Sequence, residues 1–430
     1  MASQRVIVYG TTADYIELIA RRYPGRALFI VSPAEKKKIK ASVVADVDTV
    51  VCDLADLNET TDKVRSHMAA SEMTPSGLVG FDCETLQAAS RLALRLGLPF
   101  PSPESIEAVQ DKHRSKILWT KNGLYAPKSM RVLSLNHLVS FFNQLSRPLV
   151  VKPILGTGSN YQFICSTKYD CIRTFHYITT VAGKVKEDLA PSMEHVPDIP
   201  FIAEEFVRGR EYSCDFVIEN GDVRITRLAK KILMNDGPLG TTRAYTIPAD
   251  LPGKLTLDEL REILAKAMIS VRIDRAFAMV DFIINNDRIY LLEITPRPGG
   301  DCLPDLVRAS CDIDTLDLAL SFAEGKRIET PPFSQWRPVV GLRLFAQNEG
   351  VITKIDCSDI TDIPKIVKIK MNCLVGDEVT LPPQDYTTWL LATVVFYPDN
   401  VERISQECDE IGRQCHFTIE EPTCKTAAIS

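Results

Sequence analysis

Two acidic residues, Asp281 and Glu293, are the side chains of this chain best placed to do chemistry. They lie in successive apolar runs, Met279-Val280-Asp281-Phe282-Ile283-Ile284 and Ile289-Tyr290-Leu291-Leu292-Glu293-Ile294, and the polar Asn285, Asn286, Asp287 and Arg288 between them read as a hairpin turn. Alternate strand residues face one side, so a loop of odd length with no bulge would set both carboxylates on one face. Paired carboxylate oxygens suit Mg2+, which binds one or two protein carboxylates and completes its shell with water and phosphate oxygens. Two acids on the wet face of an ordinary sheet would look similar. The apolar setting of Glu293 favours the cation site, because a carboxylate buried there is costly unless paired or metal-bound. Arg297-Pro298-Gly299-Gly300 follows at once, a guanidinium on a stiff and then open backbone.

Leu149-Val150-Val151-Lys152-Pro153 ends an apolar strand on a lysine, and Gly156-Thr157-Gly158-Ser159-Asn160 comes directly after it. Such a loop leaves backbone N–H groups free to approach phosphate oxygens, while the lysine adds a point charge. It is not a P-loop, which ends in Gly-Lys-Ser/Thr and opens a helix; here the loop joins two strands, and an ordinary turn is the competing reading. Further on, Phe201-Ile202-Ala203-Glu204-Glu205-Phe206-Val207 and Gly209-Arg210-Glu211-Tyr212 form a strand, a short break and a second strand. Exposed backbone there could meet an adenine edge, with a carboxylate beyond it for ribose hydroxyls; charged positions on a sheet edge explain the same residues.

The elements that must position these groups divide the chain in three. Residues 1–105 alternate apolar runs with helical patterns, which implies a parallel sheet covered by helices, a Rossmann-like α/β domain without the GxGxxG spacing of a dinucleotide site. Residues 106–330 carry longer strands of antiparallel character, with hairpin turns at Glu219-Asn220-Gly221-Asp222 and Asn285-Asn286-Asp287 and a flap subdomain over about 150–207. A break from Thr330 to Pro338 precedes a smaller α+β unit, 331–430.

Composition excludes several classes. The chain has 430 residues, 45% hydrophobic and 25% charged, with no apolar run of membrane-spanning length. Fifty basic against 56 acidic residues give a net charge of −6, which argues against nucleic acid as the main partner. The N-terminus enters a strand without a leader pattern, so a cytoplasmic protein is expected. Most of the 12 cysteines, spread from Cys52 to Cys424 without a CxxC pair, read as small buried hydrophobes, and the six histidines form no zinc spacing.

Taken in order, Asp111-Lys112, Val151-Lys152-Pro153 with its glycine loop, Glu204-Glu205-Phe206-Val207 with Gly209 and Glu211, and Asp281 followed by Glu293-Ile294-Thr295-Pro296-Arg297-Pro298-Gly299-Gly300 resemble the ATP-grasp superfamily, in its biotin carboxylase, carbamoyl phosphate synthetase and L-amino acid ligase branch. The resemblance covers nearly the whole chain and implies an ATP-grasp fold of mixed α/β and α+β character, with an N-terminal pre-ATP-grasp domain and a C-terminal lid. It implies that Lys112 and Lys152 contact ATP phosphates and that Gly156, Gly158 and Ser159 belong to the loop closing over them. It makes Glu204, Glu205, Phe206 and Val207 the adenine hinge, turns Glu211 to the ribose, and gives Asp281, Glu293 and Thr295 to Mg2+, with Mn2+ as a substitute. Thr295 stands where that family usually has an asparagine ligand. Arg297, Gly300 and Arg343 fall at catalytic positions, and Arg243 and Tyr245 are candidates for lining an acceptor pocket. The implied activity is an ATP-dependent carboxylate–amine ligase that forms an amide through an acyl phosphate and releases ADP. Its expected substrates are small carboxylates and amines such as amino acids, and its expected assembly a homodimer, with no nucleic-acid or membrane partner. A carboxylase of the biotin or carbamoyl phosphate synthetase type working with a separate carrier, and a non-catalytic nucleotide-binding module, are the competing readings.

Overall fold

Unbroken apolar runs such as Val6-Ile7-Val8-Tyr9 need cover on both faces, and a parallel sheet flanked by helices provides it. In the computed structural model, which describes residues 3–156, 160–189 and 196–421, β1 (Ser3–Tyr9), β2 (Ala27–Val31), β3 (Thr49–Val51) and β4 (Met73–Gly80) form a four-stranded sheet in the order β3-β2-β1-β4. All its pairings are parallel. Helix Leu57–Ala70 starts at Asp56, whose carboxylate accepts from the N–H groups of Asn58 and Glu59. Helix Leu86–Leu96 ends at Gly97, whose φ of 66° suits a residue without Cβ. Because β4 lies on the opposite side of β1 from β2, the carboxyl ends of β1 and β4 border a crevice at the switch point of the sheet, where Thr11 and Asp82 follow their strands.

A second sheet of four strands is antiparallel, in the order β5-β8-β6-β7: β5 (Ser129–Arg131), β6 (Leu149–Pro153), β7 (Phe163–Cys165) and β8 (Phe201–Glu205). Helix Lys168–Leu189 packs on it through Cys171, Ile178, Val185 and Leu189. The flap subdomain therefore reaches back to 129, not to about 150, because β5 bonds to β8 with Ser129 opposite Glu204.

The main sheet has eight strands in the order β13-β12-β9-β10-β11-β14-β18-β16. They are β9 (Arg210–Glu219), β10 (Asp222–Leu233), β11 (Thr242–Ile247), β12 (Arg275–Asn285), β13 (Arg288–Thr295), β14 (Val339–Phe345), β16 (Ile366–Met371) and β18 (Leu390–Phe396). β15 (Gly350–Asp356), β17 (Glu378–Val379) and β19 (His416–Glu420) make a small third antiparallel sheet. The expected separate unit from 331 is thus not separate in its hydrogen bonding. The prolines between Thr330 and Pro338 interrupt the chain, but Val339 and Val340 then add β14 to the edge of β11, with Tyr245 opposite Gly341. Both predicted hairpins are present as two-residue turns with positive φ, at Asn220 (53°) and Gly221 (83°) and at Asn286 (48°) and Asp287 (56°), the handedness that matches strand twist.

Seven of the nine free cysteines described are buried, as expected of small hydrophobes; Cys357 and Cys415 depart from that reading by forming a disulfide in the C-terminal part. No helix among the described residues is long and apolar enough to cross a membrane.

Candidate functional site

The hairpin β12–β13 places Asp281 directly opposite Glu293, by a route other than the one expected. A two-residue turn alone would set Asp281 against Leu292. A bulge between the pairs Asp281↔Glu293 and Phe282↔Leu291 absorbs Leu292 and restores the facing register. Thr295, two residues on and buried, is opposite Met279 and shares the face. Glu211 and Ser213 on the neighbouring β9 lie opposite Ile283 and Asp281, so Glu211 is on this face as well.

Lysines crowd the carboxylates. Lys231 Nζ donates to Asp281 Oδ2 at 2.6 Å, while Asp281 Oδ1 is buried without a hydrogen-bond partner. Lys112 Nζ lies 3.1 Å from Glu293 Oε2 and donates to the Gly156 carbonyl at 2.8 Å. Burial raises the Glu293 pKa, but Lys112, Lys152 and Lys231 outweigh it and hold the carboxyl near 2. Glu211 titrates high, mainly through burial, with Asp281 adding repulsion against the pull of Lys231. Burial likewise disfavours the Lys231 ammonium, yet Asp281 in contact raises its pKa overall. The unpartnered Asp281 oxygen beside an ionised Glu293 fits a divalent cation. No group of three or more His, Cys, Asp or Glu among the described residues makes a protein-only cage, so the donor set suits an ion that takes its other ligands from water and phosphate.

Lys112 and Glu293 border a cavity of about 340 Å³ that is also walled by Lys152, Gly156 and Gln110 and by Cys83 and Glu84 of the N-terminal domain; Asp281 and Lys231 do not line it. Gly158 and Ser159 lie outside the described residues. Just after them Tyr161, at φ 53° and buried, packs edge-on against Tyr386 with centroids 5.2 Å apart, which docks the flap on the C-terminal part.

Within residues 204–207, expected to offer backbone to an adenine edge, the Glu204 and Glu205 side chains are engaged elsewhere. Glu204 does not offer its side chain to a base: it is buried between two cations, with Oε1 2.8 Å from Lys116 Nζ and Oε2 2.8 Å from Lys152 Nζ. Glu205, next along the strand, faces the other way and pairs with Arg147. Glu205 N–H donates to the Lys128 carbonyl and Phe206 N–H to the Pro148 carbonyl, so Phe206 and Val207 lead from an anchored β8 into β9 between the two antiparallel sheets.

Arg297 rests against the N-terminal domain. Its Nε donates to Cys83 Sγ at 3.0 Å and Nη1 to the Pro298 carbonyl at 2.8 Å, and the Asp82 carboxylate is a nearby opposite charge. Cys83 also lines the cavity, whereas Arg297 does not. Arg343 pairs with Asp301 at 3.1 Å, next to Gly300, and donates to the Thr242 carbonyl. Of the two glycines, packing constrains Gly299: an added Cβ would lie 3.0 Å from Arg227 Nη2, Asp215 Oδ1 and Leu303 Cδ1, while at Gly300 it would meet only Tyr15 Oη at 3.8 Å. The acceptor-pocket candidates fare unequally, for Tyr245 is buried against the β10 lysine and Arg243 pairs with Asp409.

Sequence reasoning missed Lys116, Lys231 and the buried pair Asp215–Arg227, whose two bonds of 2.8 and 2.9 Å hold the turn that follows β13 through the Gly299 N–H. The available signals were a lysine four residues after Lys112 and the charges of Lys230-Lys231 set between Leu228-Ala229 and Ile232-Leu233.

Residues 145–305 match the ATP-grasp domain family. An uncharacterized protein of Sinorhizobium fredii is 21% identical over 65% of this chain and 55% of its own, so the chain spans about half the length of that curated relative. Among solved structures, the fold is similar to an L-amino acid ligase from Bacillus licheniformis (TM-score 0.76, 18% identity, covering 98% of this chain and 100% of that one). It is also similar to the biotin carboxylase domain of a 2-oxoglutarate carboxylase from Hydrogenobacter thermophilus, in complex with MgADP and bicarbonate (TM-score 0.67, 13% identity, covering 96% and 90%). Residues 145–305 are thus similar to an ATP-grasp domain, and the chain has the ATP-grasp fold.

Proposed function

We propose that this protein is an ATP-dependent carboxylate–amine ligase that joins small substrates such as amino acids through an acyl phosphate. The observation that carries the reading is the set of groups at and next to the cavity: Lys112, Lys152 and Glu293 line it, and Asp281 faces Glu293 across the hairpin with one oxygen buried without a partner. Phosphoryl transfer needs positioning and charge neutralisation more than covalent help from the protein. When bound, Mg2+ supplies part of that neutralisation; Asp281 and Glu293 would hold it, with the Thr295 hydroxyl alongside. Lys112 exchanges its present Glu293 and Gly156 partners for phosphate oxygens, Lys152 offers its remaining donors to phosphate while Glu204 holds it, and Lys231 keeps the Asp281 carboxylate in place. The γ-phosphoryl group passes to a carboxylate oxygen of the acid, giving an acyl phosphate and ADP. The amine nitrogen then adds to the acyl carbon, loses its proton, and phosphate leaves. Arg297 and Arg343 flank the Gly299-Gly300 turn and are assigned to the acid's carboxylate and the oxyanion that follows it. For Arg297 this requires its guanidinium to turn from Cys83 toward the cavity.

The test is a screen of amino acid pairs for substrate-dependent ADP and phosphate release. Release that needs both an acid and an amine supports the reading; AMP and pyrophosphate as stoichiometric products would remove the acyl phosphate.

A further inference from the structure

Lys116 follows Lys112 by one helical turn, on the same face of helix Lys112–Lys121. Its side chain is 2% exposed, and its ammonium has three partners: the Leu292 carbonyl, the Lys112 carbonyl at 3.2 Å and Glu204 Oε1 at 2.8 Å. Two of these matter for the site. Leu292 is the residue absorbed by the bulge that brings Glu293 opposite Asp281; a bulge disrupts the ladder locally, and here the Leu292 carbonyl takes an ammonium. Glu204 holds the cavity lysine Lys152 through its other oxygen, at 2.8 Å. One side chain thus spans β13, which carries Glu293, and β8, whose Glu204 fixes the cavity lysine Lys152.

The arrangement is costly. Burial drives the Lys116 pKa down to about 8, and the charges of Lys152 on β6 and Lys112 on its own helix add to that, against the pull of Glu204 on β8. A hydrophobic side chain of similar volume would avoid the desolvation, so stability alone is a poor reason for an ammonium here.

We propose that Lys116 is a positioning residue that couples metal and nucleotide binding, by tying the Leu292 bulge beneath Glu293 to Glu204 and, through Glu204, to Lys152. The proposal rests on the ligase reading only in taking ATP and Mg2+ as the ligands. A residue that merely holds the fold together would, on removal, weaken ATP binding with and without metal alike. A coupling residue changes the ratio of the two.

Calorimetric titration of the full chain with ATP, in EDTA and in excess Mg2+, gives that ratio directly. Lys116→Met removes the charge at nearly constant length. It is expected to leave ATP affinity in EDTA within about twofold while the gain conferred by Mg2+ falls by about tenfold, the scale of losing a partner that orients a metal ligand. Glu204→Gln cuts the same link from the other side and keeps the side-chain shape, so it serves if the methionine variant does not fold; it too should lower the ratio. An unchanged ratio in either folded variant, or a parallel loss of both affinities, overturns the proposal. Wild-type protein that binds no ATP at all would instead overturn the ligase reading.

Discussion

Asp82 should be a residue whose removal stabilises the protein. It follows β4 at the switch-point crevice, and burial raises its carboxyl from 3.8 to about 6, with Glu84 adding repulsion and Arg297 and Thr11 opposing. The folded state therefore holds the Asp82 proton to higher pH than the unfolded chain does, and stability falls as pH rises from about 4 through about 6. Above that window the loss is complete. The difference between 3.8 and about 6 corresponds to about 3 kcal/mol, and residual solvent contact trims this to about 1–3 kcal/mol. Asp82→Asn keeps the shape and removes the charge, so at pH 7.5 it should unfold a few degrees higher than the wild type. At pH 4 the advantage should shrink to about a fifth, because the wild-type carboxyl is then largely protonated in the folded state. Differential scanning calorimetry of the two proteins at both pH values measures the effect, compared as Tm because a chain of several domains need not unfold in two states. A variant less stable than the wild type at pH 7.5, or a gain independent of pH, would refute the reasoning. Asp82 also faces Arg297, so the same variant should bind ATP normally but turn over more slowly.

Four further substitutions, at three positions, separate roles within the turn after β13. Arg297→Ala should leave ATP affinity nearly intact while kcat/KM for the acid falls by about a hundredfold, and Arg297→Lys should recover little because lysine lacks the planar fork; steady-state ADP release with calorimetric ATP affinity checks both. Gly299→Ala should lower Tm clearly, since its Cβ would press on the buried Asp215–Arg227 pair and on Leu303, whereas Gly300→Ala should leave Tm within the scatter of surface changes.

The sequence carried the parts of this fold that local chemistry writes. Asn286-Asp287 and Asn220-Gly221 marked their turns because those residues tolerate positive φ, and apolar runs without alternation marked a doubly covered parallel sheet. Register was less legible: the facing of Asp281 and Glu293 depends on a bulge at Leu292, and nothing in Leu291-Leu292-Glu293 announces it. Partners of buried charges were illegible for a related reason. Lys231 meets Asp281 and Lys116 meets Glu204 only through strand order and helix docking, across 50 and 88 residues of sequence. The boundary at 331 misled because prolines report where a chain bends, while membership of a sheet is decided by which edge strand is open, here β11. Arg297 shows the same limit at the site, since its motif position gave a role but not the side chain's contact with Cys83.

The central claim is that Asp281 and Glu293 hold a divalent cation against ATP phosphates in the cavity. Titrating ATP into the wild type, Asp281→Asn and Glu293→Gln, each with Mg2+ and with EDTA, tests it most directly. The account predicts that Mg2+ tightens ATP binding strongly in the wild type and that either substitution removes most of that gain while binding in EDTA persists. Equal ATP affinity with and without Mg2+ in the wild type, or a metal effect that survives both substitutions, would contradict it.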